Sequence, residues 1–220
     1  MACTFRERRV TDIRMLKRGL VAALIVGVVS FSGFGIEGPA ITQVFYRPTA
    51  YTLPAGVWEL EGKFSLFAFG LPTANMAYGL TESLQISTGL SADLFGMPNL
   101  GIKLALSRTG PVRLAASAGV TYLLADGSLY LRSGLSASLQ AGVLGIHMGA
   151  SLRMLPELSF SPYAAFDYAL AGNVALLGEV SVLPFQARVG ALFRPLRSFD
   201  LKLWTGFPVF SVGASGALRF

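Results

Sequence analysis

At 220 residues the chain is sized for one domain, yet 53% of it is hydrophobic and only 14% charged, where soluble domains carry about 25% charged residues. The formal charge of +6 does not mark a nucleic-acid binder: Arg6, Arg8, Arg9, Arg14, Lys17 and Arg18 outweigh Glu7 and Asp12 within residues 1–32, and no basic run occurs after them. The single cysteine, Cys3, excludes an internal disulfide.

From Met15 the chain reads MLKRGLVAALIVGVVSFSGFG: basic residues, an apolar run, then small residues. That is the layout of a secretory signal peptide, expected over 1–32 with cleavage near Gly33 and a possible true start at Met15. The uncharged run is short for a membrane-spanning helix, which needs about 20 residues. GFGIEG at 33–38 matches a dinucleotide fingerprint in letters only, because it comes after an export signal and not a strand. Residues 33–55 are expected as a periplasmic N-terminal segment, either a free tail or a piece folded into the lumen of the domain at 56–220.

From residue 56 the hydrophobic period becomes two. In LQISTGLSADL, Leu84, Ile86, Leu90 and Leu94 share one face, while Gln85, Ser87, Ser91 and Asp93 share the other. The same alternation predicts about twelve strands (10–12), near 57–69, 74–80, 83–94, 100–107, 112–124, 129–139, 143–154, 162–170, 174–183, 185–194, 199–207 and 209–220. Short punctuators such as RTGP, ADGS and AGN separate them. Strands of about ten residues cross a bilayer at a tilt, and short connections imply an up-and-down antiparallel meander. The fold class is therefore all-β: a transmembrane barrel over 56–220.

The charges choose the lipid face. Glu59, Glu61, Lys63, Asp93, Lys103, Arg113, Arg132, Arg153, Asp167, Glu179, Arg188, Arg194, Asp200, Lys202 and Arg219 all take the parity opposite their strand's aliphatic row. A basic residue at the bilayer midplane costs roughly 2–4 kcal/mol, so an apolar face exposed to lipid requires this segregation. A soluble barrel would alternate in the same way, but its water face would need more charge than this Gly, Ala and Ser-rich face has. Trp58, Tyr78, Phe193, Phe199 and Phe220 are expected at one rim, with Tyr122, Phe185, Phe207 and Phe210 at the other.

The leader, the amphipathic strands and the ending VFSVGASGALRF resemble a bacterial outer-membrane β-barrel of the small porin-like kind. The stretches PTAYTLPAGVWEL and AYGLTESLQI resemble the start of such barrels with unassigned substrate. The resemblance implies Sec export to the outer membrane of a Gram-negative-type bacterium, contact with membrane lipids, and insertion by the barrel-assembly machinery. The signal that machinery reads would fall on Phe210, Val212, Leu218 and Phe220, with Ala214 in the same row and Gly216 departing from the bulky pattern.

Barrel diameter grows with strand number: eight strands can fill with side chains, sixteen leave a water channel, and twelve lie between. More inward bases than acids give a mildly positive lumen, suited to small neutral or anionic solutes. A narrow passive channel is the leading reading. A plugged structural barrel and a lipid-modifying enzyme are the alternatives. Lumen-lining candidates are Lys103, Arg113, Arg132, His147, Arg153, Asp167, Glu179, Arg188, Lys202 and Trp204, of which the arginines 113, 132, 153 and 188 with Trp204 would mark the solute path. His147 is the sole histidine; Ser136, Ser151 or Asp167 on neighbouring strands are conceivable partners. No nucleophile elbow or metal-ligand spacing occurs, so the chain reads as a non-enzyme without cofactor or metal. The oligomeric state stays open.

Overall fold

The computed structural model describes residues 41–66, 72–155, 157–208 and 210–220. The expected signal peptide lies outside the described residues. Among those described, twelve strands pair with their neighbours in sequence and close on themselves, all antiparallel: β1 (Trp58–Leu66), β2 (Thr73–Gly79), β3 (Leu84–Thr88), β4 (Asn99–Ser107), β5 (Val112–Leu123), β6 (Ser128–Ala141), β7 (Leu144–Arg153), β8 (Ser159–Ala171), β9 (Val174–Val182), β10 (Phe185–Leu196), β11 (Phe199–Phe207) and β12 (Ser211–Arg219). β1 meets β12 with Glu59 opposite Arg219 and Leu66 opposite Val212. Closure leaves no unpaired edge, the condition for a sheet in hydrocarbon.

Parity carries through every register. Lys63 faces Thr73, Gln85 faces Lys103, Gly119 faces Arg132, His147 faces Ala165, and Glu179 faces Arg188, so one row stays inside all the way to Arg219. The opposite row, including Leu60, Phe64, Ile102, Leu104, Leu135, Val189 and Leu203, is exposed on the outside. Three register shifts, at 105/107, 169/171 and 193/196, fall toward the rim that carries Trp58 and Phe220. Bulges there re-aim the strand ends without disturbing the wall. Trp58 stacks on Tyr78 at 4.4 Å at this near rim, and Phe185 meets Phe207 at 6.2 Å at the far one.

One expectation is corrected. The strand expected over 83–94 stops at Thr88, and Leu90–Leu94 form one helical turn, α1. Local polar groups win over alternation there: Asp93 accepts from Thr88 Oγ1 (2.8 Å) and from the Asn99 main-chain N–H (3.0 Å), while Asn99 Oδ1 accepts from the Gly89 N–H (2.8 Å). Asp93 thus belongs to the far rim and not to the strand wall. The inner row also carries large apolar side chains. Leu177 and Leu192 point inward and, with Ala165, Ala175 and Trp204, form the buried core together with Val44 and Phe45. The core lies inside the barrel because residues 41–55 fill it.

Candidate functional site: the lumen and its inner segment

Of the two placements open for the residues before the barrel, the described part takes the lumenal one. The segment 41–55 rises from the near rim, turns at Phe45–Arg47 and comes back. The turn is closed by the Val44 N–H donating to the Arg47 carbonyl (3.2 Å) and the Thr49 N–H to the Thr42 carbonyl (3.1 Å). Phe45 and Tyr46 pack on the Trp204 ring at 5.5 and 5.7 Å. Trp204 can lie flat against β12 because residue 213 is glycine: a Cβ there would sit 2.3 Å from the indole.

Most of the other hydrogen bonds run from a wall side chain to the segment's main chain, which needs partners because the turn has too few internal bonds. Glu179 Oε2 accepts three consecutive N–H groups, from Phe45 (3.2 Å), Tyr46 (2.8 Å) and Arg47 (3.0 Å), while its Oε1 accepts from Arg188 (2.8 Å). Successive amides converging on one carboxylate make an anion-holding nest. Lys63 donates to the Phe45 carbonyl (2.7 Å), Lys202 to that of Gln43 (2.7 Å), and Lys103 to those of Thr42 (3.3 Å) and Tyr51. Ser136 donates to the Thr49 carbonyl (3.1 Å) and Tyr163 to that of Pro48 (2.8 Å); Gln85 accepts from the Leu53 N–H (3.0 Å). The Arg47 guanidinium reaches Ser151 and Ser161. Burial pushes the Tyr46 and Tyr51 phenols upward from their ordinary value.

His147 is fully buried. Its Nε2 lies 2.6 Å from Asp167 Oδ1 and its Nδ1 lies 2.8 Å from Ser138 Oγ. The Asp167 carboxylate sits against Nε2 and the Ser138 hydroxyl against Nδ1, one on each side of the ring. Ser138 Oγ also accepts from the Ala50 N–H, 2.8 Å away. The chain of three groups holds a main-chain amide, and its hydroxyl is buried beneath the segment. Of the partners conceivable from sequence, Asp167 is the one in place; Ser138, directly opposite His147 in the register, is a partner that sequence reasoning missed.

The other candidates separate into groups. Lys103, Glu179, Arg188, Lys202 and Trp204 converge on the segment. Arg113 lies over the Tyr51 ring at 5.2 Å, beside a cavity of about 170 Å³ at the near rim that Glu82 and Arg108 also line. Arg132 and Arg153 stand opposite each other on the inner face toward the far rim, both exposed. They do not reach the segment's contacts, so the candidates do not form one path. At the near rim Arg219 bridges Glu59 (2.8 Å) and Asp200 (2.9 Å), and Asp200 also takes Arg194 (2.5 Å), tying four strands across the seam. Phe210, Val212, Leu218 and Phe220 are exposed on the outer side. Among the described residues no helix is long and apolar enough to cross a membrane, and no group of metal-ligating side chains occurs.

No family model and no curated protein matches the chain. Solved structures do. The KdgM porin, determined in complex with disordered oligogalacturonate, superposes with a TM-score of 0.57 at 5% identity, over 74% of this chain and 99% of that one. The NanC porin gives 0.53 at 5% identity, over 73% and 98%. An outer-membrane channel from Pseudomonas putida F1 gives 0.50 at 12% identity, over 78% and 98%. With its closed ring and apolar exterior, the chain has the fold of the outer-membrane porins: a twelve-stranded antiparallel β-barrel.

Proposed function

We propose that the protein is an outer-membrane channel for small solutes, neutral or anionic, whose lumen is closed in the present state by its own residues 41–55. It would be exported through the Sec route and inserted by the barrel-assembly machinery through its last strand. One observation carries the channel reading: the wall holds the segment mainly by charged and hydroxyl side chains aimed at main-chain groups. Such groups can be hydrated in place of a peptide partner, so a polar wall remains once the segment moves. Among the described residues the buried apolar cluster of the wall is confined to Ala165, Ala175, Leu177, Leu192 and Trp204.

The filled lumen favours a second reading, a permanently plugged structural barrel. Planar-bilayer recordings of the refolded protein separate the two. Discrete ohmic openings, made more frequent by Glu179→Ala, support the channel; a sealed bilayer from protein that migrates as a heat-modifiable barrel supports the plug.

A further inference from the structure

The lysines of the inner wall are short of carboxylates. Lys63 and Lys202 share one acid, Glu61, at 3.1 and 3.5 Å. Lys103 makes no ion pair among the described residues. Nearby acids are committed elsewhere, Glu59 to Arg219 and Glu179 to Arg188 and the segment's amides. Each ammonium is completed instead by carbonyl oxygens of residues 42–51. A carbonyl satisfies an N–H direction but supplies no counter-charge.

We infer that Lys63, Lys103 and Lys202 form an anion-binding constriction, a site for oxygen-rich anions such as phosphate or carboxylates, whose donors the segment's carbonyl oxygens occupy in the closed state. The inference rests on the channel reading and names the solute class. With the carbonyls gone, Lys63 and Lys202 keep Glu61 between them and Lys103 is in no ion pair among the described residues, so an anion both fills their N–H directions and adds the missing negative charge. An ammonium on a flexible stem re-aims from a carbonyl to a phosphate oxygen without rebuilding the wall. A second observation agrees. Arg132 and Arg153 are cross-strand partners on the inner face toward the far rim, a like-charge pairing that is unfavourable in itself and attracts anions toward the lumen. Because solute and segment use the same donors, anion binding and closure oppose one another reciprocally.

The full-length protein tests this in two ways. In bilayers with a potassium chloride gradient, openings are expected to pass chloride over potassium, with the preference lost in the triple variant K63Q/K103Q/K202Q; cation preference, or a preference the triple variant keeps, overturns the site. In detergent, chymotrypsin cuts after Phe45 and Tyr46 only when the segment leaves the wall. Inorganic phosphate is expected to speed that cleavage several-fold in the wild type but not in the triple variant, at ionic strength matched with chloride. Cleavage indifferent to phosphate overturns the site. The proteolytic result stands even if no opening is ever recorded, so failure of the channel reading and failure of the lysine site are told apart. Should the triple variant not fold, Lys103→Gln alone, which breaks no ion pair, is expected to halve or abolish the phosphate effect, and an unchanged effect overturns the site.

Discussion

The Tyr46 main-chain N–H and the Glu179 carboxylate meet at 2.8 Å inside the barrel, across 133 positions of sequence. The flanking N–H groups of Phe45 and Arg47 share the same oxygen. The closed state therefore depends most on one wall side chain. Glu179→Ala leaves three amides without their acceptor and Arg188 without its acid. Hydrogen bonds to charged groups contribute about 1.5–3 kcal/mol each. The loss is expected to shift the segment's closure equilibrium at least tenfold toward release, read as faster chymotryptic cleavage after Tyr46. Glu179→Gln keeps one carbonyl acceptor and is expected to fall between.

Trp204 is the apolar counterpart of that latch. Trp204→Ala removes the surface under Phe45 and Tyr46, and large-to-small changes at buried aromatics cost about 3–5 kcal/mol. Much of that loss falls on the segment, so openings should lengthen while the barrel still migrates as a folded band. Gly213→Val is expected to reproduce the effect from the other side, since its side chain would occupy the indole's place.

At the seam, Arg219 reaches Glu59 on β1 and Asp200 on β11. Removing one partner of a buried ion pair costs about 3–5 kcal/mol because the charge left behind is unpaired. Arg219→Met is expected to lower the temperature of the heat-modifiable gel transition, with little change in segment proteolysis. The Phe220 and Trp58 main chains, joined by bonds of 2.9 and 3.1 Å, keep the same seam in register.

Leu104 and Lys103 are neighbours in sequence on opposite faces. Leu104→Arg places a charge toward lipid and is expected to cost about 2–4 kcal/mol in vesicle unfolding by urea. Ser117→Glu, on the inner row opposite Lys103, should cost much less in the same titration, since its charge meets an ammonium and not lipid.

The Ser138, His147 and Asp167 chain holds the Ala50 main-chain N–H. Ser138→Ala is expected to loosen the segment severalfold by proteolysis, with no hydrolysis of phospholipid or activated ester in either protein. Turnover in the wild type that disappears in the variant would instead reveal a nucleophile.

How much of the molecule was legible in the amino-acid order depends on the range of each interaction. Strand parity is local: in LYLRSGLSASLQ neighbouring side chains must point to opposite faces, so one arginine and a row of leucines orient β6, and the cost of charge in lipid says which face is out. The same logic places β10 from Arg188 and Arg194 and finds the turns from Gly, Pro and Asp. It failed at 90–94, where Asp93 and Asn99 bond locally to the main chain and break the alternation.

The lumen's contents were not legible. TQVFYRPTAYTLPAG has no period, because its residues answer to a curved wall assembled from strands far apart in sequence and not to a flat sheet face. Ser138 finds His147 only once β6 and β7 take their register. Glu179 finds Tyr46 only once the ring has closed. The sequence by itself determined a barrel, its two faces and the charge of its inner row, all of which depend on neighbours one or two residues apart. Tertiary structure alone decided that the inner row is spent on a main chain threaded through it, since those hydrogen bonds join groups that only closure of the sheet brings within reach.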